Sequence, residues 1–344
     1  MAVFNHPSFD EHEQVVFCHD KASGLKAIIA VHNTNLGPAF GGTRMWNYAS
    51  DEEALNDVLR LSKGMTYKNA MAGLTMGGGK SVIIADPKNT PNREALFTAF
   101  GRFVNSLGGR YVAAEDVGTT PADIKIASSQ TPFVAGLEGK SGDPSPFTAL
   151  GTYLGIKAAV KHQLGRDSLS GLRIAVQGVG HVGYYLCQHL HREGAKLIVT
   201  DIHQPNLERV ANDVGATVVA PQDIYAQDVD VYAPCALGAT INDVTLPQLK
   251  AKIIAGCANN QLAEMRHAQE LQQRGILYAP DYVINAGGII NVSFENQYDT
   301  QQSTAKVEQI YDTLLSVFSQ ADAQSRTTAD VADEMARALI NRAK

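Results

Sequence analysis

Lys68 and Lys80 stand twelve residues apart in the segment GMTYKNAMAGLTMGGGKSVIIAD, and no acidic residue lies between them. A protonated lysine is a compact cation suited to a carboxylate. A second lysine, desolvated and near another cation, loses its proton more easily and can serve as a base near neutrality. Lys68 and Lys80 fit those two roles. Gly77, Gly78 and Gly79 would let the backbone approach a ligand closely just ahead of Lys80. Two surface lysines are the ordinary alternative. Against it, Lys80 leads straight into the apolar run SVIIA, at the mouth of a buried strand. Asp116, ending the strand-like YVAAED, is the candidate carboxylate. Residues at such ends often face a cleft; a turn or helix-capping aspartate is the competing reading. Glu115 would point to the opposite side of the strand.

A second signature, QGVGHVG, places Gly178, Gly180 and Gly183 in a GxGxxG pattern between a β-branched strand and a helix. The first glycine allows a tight turn and the second lets the backbone near a pyrophosphate. The third lets helix and strand pack closely, with the helix N-terminus facing the phosphates. Asp201 ends the next strand, 23 residues after Gly178. Its carboxylate can accept from adenosine ribose hydroxyls and would repel a 2′-phosphate, which favours NAD over NADP. A glycine-rich turn of some other α/β protein is the alternative. The two signatures together imply hydride transfer to or from a small carboxylate.

The elements that must position these groups alternate. QVVFCH and KAIIAVHN read as strands joined by the turn KASG. Ser50 to Glu53 form a capping box ahead of a helix with Ala54, Leu55, Val58, Leu59 and Leu61 on its apolar face. SVIIA and YVAAEDV are strands and REALFTAFGRFVNSL is a helix; Thr120, Pro121 and Asp123 begin another. The proline- and glycine-rich stretch 131–147 reads as a hinge. The helix TALGTYLGIKAAVKHQL follows. Then come βα units at RIAVQG, KLIVTD, TVV, VDVYAP and KIIAGCA, and helices from about Ala305. The predicted fold is α/β, with two domains and a cleft between them. An N-terminal substrate and oligomerisation domain spans 1–134. A Rossmann-type dinucleotide domain spans 135–319, and a C-terminal helix of about 320–344 packs back on the first.

Composition narrows the classes. The chain has 344 residues, 44% hydrophobic and 19% charged, enough for about two soluble domains. Its net charge of −6 is dispersed, against nucleic acid as a partner. No apolar run approaches a membrane span, and the N-terminus lacks a signal-peptide pattern, so the cytoplasm is the default location. Cys18, Cys187, Cys235 and Cys257 are scattered, without a CxxC pair, and read as buried thiols. His189 and His191 would fall on different helix faces, so no metal site is expected.

The blocks GPAFGGTRM, KGMTYKNAMAGLTMGGGK, AAEDVGTT, QGVGHVG, APCALGAT, GCANNQL and DYVINAGGIINV cover most of the chain. In them it resembles the amino acid dehydrogenases of the glutamate/leucine/phenylalanine/valine superfamily, and within them the leucine-type branch. The resemblance implies reversible, NAD-dependent oxidative deamination of an L-amino acid by a homo-oligomer, dimer or octamer. It assigns Lys68 to the substrate carboxylate, Lys80 to activating water and Asp116 to proton exchange with the amino group. Gly41 and Gly42 would help bind the carboxylate. Phe40, Ala114, Ile289 and Val292 would line an apolar side-chain pocket that disfavours glutamate. Phe40 stands where leucine-type enzymes usually carry leucine, so an aromatic substrate is the alternative to leucine, valine and isoleucine. Asn260 would lie near nicotinamide and substrate, sharing that place with Asn259, and Asn285 would face the cleft. Thr148, His181, Val182, Cys235 and Ala236 complete the implied cofactor contacts; His181 replaces the family's common asparagine and would point to solvent.

Overall fold

The structure, a computed structural model, describes residues 3–137, 142–236, 238–295 and 298–343. The chain forms two compact units. One comprises Met1–Gly142, Val292–Tyr298 and Ala336–Lys344, and the other Asp143–Asn291 and Asp299–Met335.

The first unit is built on β1 (Gln14–Asp20), β2 (Leu25–Asn33), β3 (Ala39–Trp46), β4 (Gly77–Ile84) and β5 (Tyr111–Glu115), in the order β1-β2-β4-β3-β5. The first two pairings are antiparallel, while β3 runs parallel to both β4 and β5. Both faces of the central strands are covered, so β2 is buried along almost its whole length. Helix α1 (Asp51–Met71) covers one face, packing Leu55, Val58 and Leu59 on Ile28, Ala30 and Val82. Half of the predicted capping box forms: Ser50 Oγ accepts the Glu53 N–H at 3.1 Å, but the Glu53 carboxylate accepts the N–H of Ala49, one residue before the cap, at 2.7 Å. Helix α2 (Arg93–Ser106) covers the other face with Leu96, Phe97, Phe100 and Val104 against Ile29, Met45 and Ile83. The short α3 (Pro121–Ser128) follows β5 behind the Thr120–Asp123 cap.

The expected strand SVIIA begins earlier than its apolar run, because β4 takes in Gly77, Gly78 and Gly79. A Cβ at Gly77 would lie 2.1 Å from Asn33 O, one at Gly78 2.1 Å from Thr66 N, and one at Gly79 2.7 Å from the Tyr111 ring. These glycines let neighbouring strands, α1 and Tyr111 close onto β4. Lys80 therefore stands mid-strand, paired with Ala30 of β2, and not at the strand's mouth.

The second unit carries a six-stranded sheet in the order β11-β10-β9-β6-β7-β8. After α4 (Ser145–Leu164) come β6 (Arg173–Gln177), α5 (His181–Arg192), β7 (Lys196–Thr200), α6 (Gln204–Val214), β8 (Thr217–Val218), β9 (Val231–Pro234) and β10 (Ile253–Ile254). Then follow α7 (Arg266–Gln273), β11 (Leu277–Tyr278), α8 (Asp281–Ile284), α9 (Gly287–Ser293), α10 (Thr300–Gln324) and α11 (Thr328–Arg342). Every pairing is parallel. The sheet grows outward from β6 in both directions, which makes the end of β6 a topological switch point.

The first unit extends beyond residue 134 because the chain continues along the edge of β5. Val134 bridges Ala113, the Ala135 N–H donates to Ala113 O at 2.8 Å, and Gly136 N–H donates to the buried Glu295 carboxylate at 2.5 Å. The expected hinge 131–147 is thus partly sheet edge, and its last residues belong to α4. Residues 138–141 lie outside the described residues. Helix α11 is shared between units, and its end returns to the first one, where Arg337 Nε donates to Tyr67 Oη at 2.8 Å. Cys18 and Cys187 are buried, whereas Cys235 and Cys257 are half-buried; all four thiols are free. Among the described residues no helix is long and apolar enough to cross a membrane.

The glycine packing is testable. Gly78→Ala should lower stability by about 1–3 kcal/mol in urea unfolding, because the clash is with helix backbone. Gly64→Ala, on α1 with open space around its Cβ position, should be neutral or stabilising by up to ~1 kcal/mol. Equal stability of the two variants would mean that the close approach at Gly78 is not needed.

Candidate active site

Lys80 is only 5% exposed and its ammonium donates to Asp116 Oδ2 at 2.9 Å. Strand alternation puts Lys80 on the α1 face of the sheet with Val82. Across the ladder, Phe40 pairs with Gly78 and Val112, and Gly42 pairs with Ala114. The same face therefore carries Phe40, Gly42, Lys80 and Ala114. Phe40 and Ala114 are buried. Lys68 is half-buried in the last turn of the helix that lies over this face. A Cβ on Gly42 would reach within 2.8 Å of the Asp116 Cβ, and one on Gly41 would strike Gly79 O. The Gly41 carbonyl accepts the Tyr111 hydroxyl at 2.8 Å.

Asp116 sits in a tightly fixed turn just beyond β5. Its N–H donates to Thr119 Oγ1 at 3.0 Å, and the Thr119 N–H donates back to Asp116 O at 3.0 Å. Gly118 has φ +81°, and a Cβ there would meet Met45 O at 1.9 Å. Arg93 secures the turn from outside, donating to Gly118 O at 2.8 Å while gripping both oxygens of Asp123 at 2.7 Å. Asp116 Oδ2 takes a second cation, Arg44 Nε, at 3.0 Å. Arg44 Nη1 in turn reaches Asp57 Oδ2 at 3.0 Å, and that oxygen also accepts the Tyr48 hydroxyl at 2.7 Å. Burial acts to raise the Asp116 pKa, but the charges of Lys80 and Arg44 outweigh it, with help from the Val117 N–H. The carboxyl is held well below the usual carboxylate range.

Arg44, Asp57, Tyr48 and Thr119 are the residues that reading the sequence missed. Arg44 could have been found. It lies two residues after Gly42 in a strand, hence on the same face, and is a charged residue inside an otherwise buried run. Asp57 lies beside the apolar stripe of α1, where the local pattern does not mark it.

In the second unit Gly178 turns at φ +94°, and a Cβ on Gly183 would lie 2.1 Å from Gly178 O. Gly180 begins α5 with no side-chain cap and open space at its Cβ position. Asp201 Oδ2 accepts the Val179 N–H at 2.7 Å and Oδ1 the His203 N–H at 2.8 Å, so the carboxylate is pinned beneath the glycine turn. His181 is exposed and Val182 half-buried at the start of α5. Cys235 follows β9, its N–H donating to Gln177 O at 2.7 Å. Ala236 would crowd any Cβ at Gly178. Thr148 lies in the first turn of α4, where Gly288 of α9 packs against it. Asn285 Nδ2 donates to Asn259 Oδ1 at 2.7 Å and Cys257 O at 3.1 Å, yet its buried Oδ1 has no partner. Thr200 Oγ1, at the end of β7, is buried and unpaired too. Asn260 is exposed, at φ +51°, and its carbonyl accepts the Ala239 N–H at 2.6 Å. Ile289 and Val292 are half-buried on α9, three residues apart and so on one side of it. Orphaned acceptors, an uncapped helix N-terminus and a glycine cradle fit a dinucleotide.

Comparison with known proteins follows the same division. The family model described as Glu/Leu/Phe/Val dehydrogenase, dimerisation domain, matches residues 12–132. The Glutamate/Leucine/Phenylalanine/Valine dehydrogenase model matches residues 139–203 and 199–343. The chain belongs to this dehydrogenase family. A leucine dehydrogenase of Geobacillus stearothermophilus is 57% identical, over 99% of this chain and 94% of that one. A valine dehydrogenase of Streptomyces virginiae is 47% identical, over 97% and 95%. The crystal structure of L-tryptophan dehydrogenase from Nostoc punctiforme is 50% identical, covering 97% of each chain, with a TM-score of 0.86. In this family member the two units are thus a dehydrogenase's sheet-based N-terminal domain and its Rossmann-type dinucleotide domain.

The Asp116 pairing has a pH signature. Its pKa is lower folded than unfolded, so the native state binds fewer protons and stability rises with pH. That contribution is present above the unfolded value of about 4 and is lost as pH falls through the folded value. In urea titrations the stability gap between wild type and Asp116→Asn should be widest near neutrality and narrow below pH ~4. A gap that does not depend on pH would mean the carboxylate's charge does not stabilise the fold.

Proposed function

We propose that this protein catalyses the NAD-dependent, reversible oxidative deamination of a branched-chain aliphatic L-amino acid to its 2-oxo acid and ammonia. The observation that carries the reading is the 2.9 Å pairing of Lys80, itself buried, with Asp116 on a largely apolar sheet face. Few structural needs are served by burying an ammonium there, whereas acid–base chemistry on an amine needs both groups. NAD, when bound, accepts the hydride from the substrate Cα. Lys68 holds the α-carboxylate, helped by the backbone at Gly41 and Gly42. Lys80 takes a proton from the water that attacks the resulting iminium carbon. Asp116 moves protons to and from the nitrogen as ammonia leaves. Asp201 accepts from the ribose hydroxyls, and its charge opposes a 2′-phosphate, which supports NAD over NADP.

The residues proposed to meet the substrate side chain, Phe40, Ala114, Ile289 and Val292, are all apolar. None offers a partner to a γ-carboxylate, so glutamate is a poor substrate. One methylene in such a pocket changes discrimination by only about 1–3 kcal/mol, so leucine, isoleucine and valine are all turned over. The leucine and valine dehydrogenase relatives support this choice, and the dimerisation-domain match supports a homo-oligomer, dimer or octamer. Phe40 and the tryptophan dehydrogenase relative favour one second reading, an aromatic substrate.

The test is NADH formation at alkaline pH with a panel of leucine, isoleucine, valine, phenylalanine, tryptophan and glutamate. Aliphatic substrates should give the highest kcat/KM; an aromatic in first place would replace the proposal with the second reading. Lys80→Ala should abolish turnover while NAD affinity stays nearly unchanged, and normal turnover would remove Lys80 from the chemistry. Asp201→Ala should weaken NAD binding roughly tenfold or more, the loss of charge-assisted hydrogen bonds. An unchanged affinity would contradict the ribose assignment.

A further inference from the structure

Arg44 links the candidate catalytic carboxylate to a second half-buried acid. Its Nε lies 3.0 Å from Asp116 Oδ2 and its Nη1 3.0 Å from Asp57 Oδ2, while the Tyr48 hydroxyl donates to that same Asp57 oxygen at 2.7 Å. Each anchor comes from a different place: Arg44 from β3, Asp57 from α1, Tyr48 from the segment between them and Asp116 from the turn after β5. Burial together with the Asp57 carboxylate pushes the Tyr48 phenol up, so it stays a donor. A guanidinium forked between two carboxylates has little freedom to leave either.

This arrangement resolves a conflict in the reaction. Lys80 and Arg44 share one oxygen of Asp116. To activate water, Lys80 must be neutral. If it were the only cation beside Asp116, losing its proton would leave a half-buried carboxylate without a counter-charge, which is unfavourable. Arginine cannot lose its proton in a protein, so it is a permanent counter-charge. We propose that Arg44 is a positioning residue that keeps Asp116 neutralised throughout turnover, so that Lys80 is free to exchange its proton, and that Asp57 and Tyr48 hold Arg44 in that place. The inference rests on the roles proposed above for Lys80 and Asp116. The ionisable groups around this assembly are Lys80 from β4, Asp57 from α1 and Tyr48 from the segment before α1, with Lys68 in the last turn of α1; Tyr111 of β5 lies on the opposite face of the sheet but feels the Asp116 charge. Tyr111 stays a neutral phenol, because burial raises its pKa.

The test is the pH profile of kcat/KM for the intact protein with NAD and its best amino acid. Arg44→Gln leaves Lys80 as sole counter-charge, so its proton is harder to remove. The acid limb should move to higher pH by about one unit, with about a tenfold loss at pH values below the limb. Arg44→Lys keeps the charge and should keep the limb near its wild-type position, although a lysine cannot span both carboxylates and kcat should fall. Asp57→Asn removes a negative charge but keeps an oxygen that can accept from Arg44 and Tyr48, so Arg44 stays beside Asp116 and the limb should move the opposite way, to lower pH. A merely structural role would lower kcat without moving the limb. Limbs that coincide with wild type, or that move in the same direction in Arg44→Gln and Asp57→Asn, would overturn the proposal. If Arg44→Gln does not fold, the direction seen in Asp57→Asn decides. Lys80→Ala separates the two levels: turnover in that variant sinks the reading of Lys80 itself, whereas an inactive Lys80→Ala with unmoved limbs sinks only the role of Arg44.

Discussion

The first unit depends on one carboxylate kept ionised in a half-buried place. Asp116 stays ionised there because Lys80 and Arg44 converge on one of its oxygens, helped by the Val117 N–H. That convergence sets demands outward. Lys80 must come from the middle of a strand, Arg44 from the neighbouring strand on the same face, and Asp116 from a turn that holds its carboxylate still. Thr119, Gly118 and Arg93 meet the last demand with backbone bonds, a left-handed turn and an ion pair to the α3 cap.

The glycines meet a different demand, for space. At Gly41, Gly42, Gly77, Gly78 and Gly79 a single added carbon would collide with backbone or ring atoms at or below 2.8 Å. With side chains removed from five positions, strands and helix close up, and Lys80, Arg44 and Asp116 meet at one place on the sheet face. The dinucleotide turn repeats the principle, with Gly183 seated against the Gly178 carbonyl.

Much of this could be read from the sequence, for identifiable reasons. The GxGxxG turn, Asp201 and the alternating elements were legible because each is a local pattern with one dominant physical cause. Lys80 and Asp116 were legible as candidates through their place beside apolar strands. The extent of β4 was not, since glycine has low strand propensity and only tertiary crowding shows why it belongs there. Arg44, Asp57 and Tyr48 escaped because their role arises from three-dimensional pairing across β3, α1 and a turn. The end of the first unit was obscured because residues after 134 look like a linker in composition, yet they bond to the edge of β5 and to Glu295, far away in sequence.

That last feature bears on how the protein is made. The first unit is assembled from three stretches, Met1–Gly142, Val292–Tyr298 and Ala336–Lys344. Its last stretch is synthesised after the whole of the second unit. The sheet from β1 to β5 can form early in translation, but Glu295 reaches Gly136, and Arg337 reaches Tyr67, only after residues of the second unit have been made. Completion of the unit that carries Lys80 and Asp116 is therefore tied to synthesis of the second unit, and a chain broken off before Arg337 lacks that closing contact.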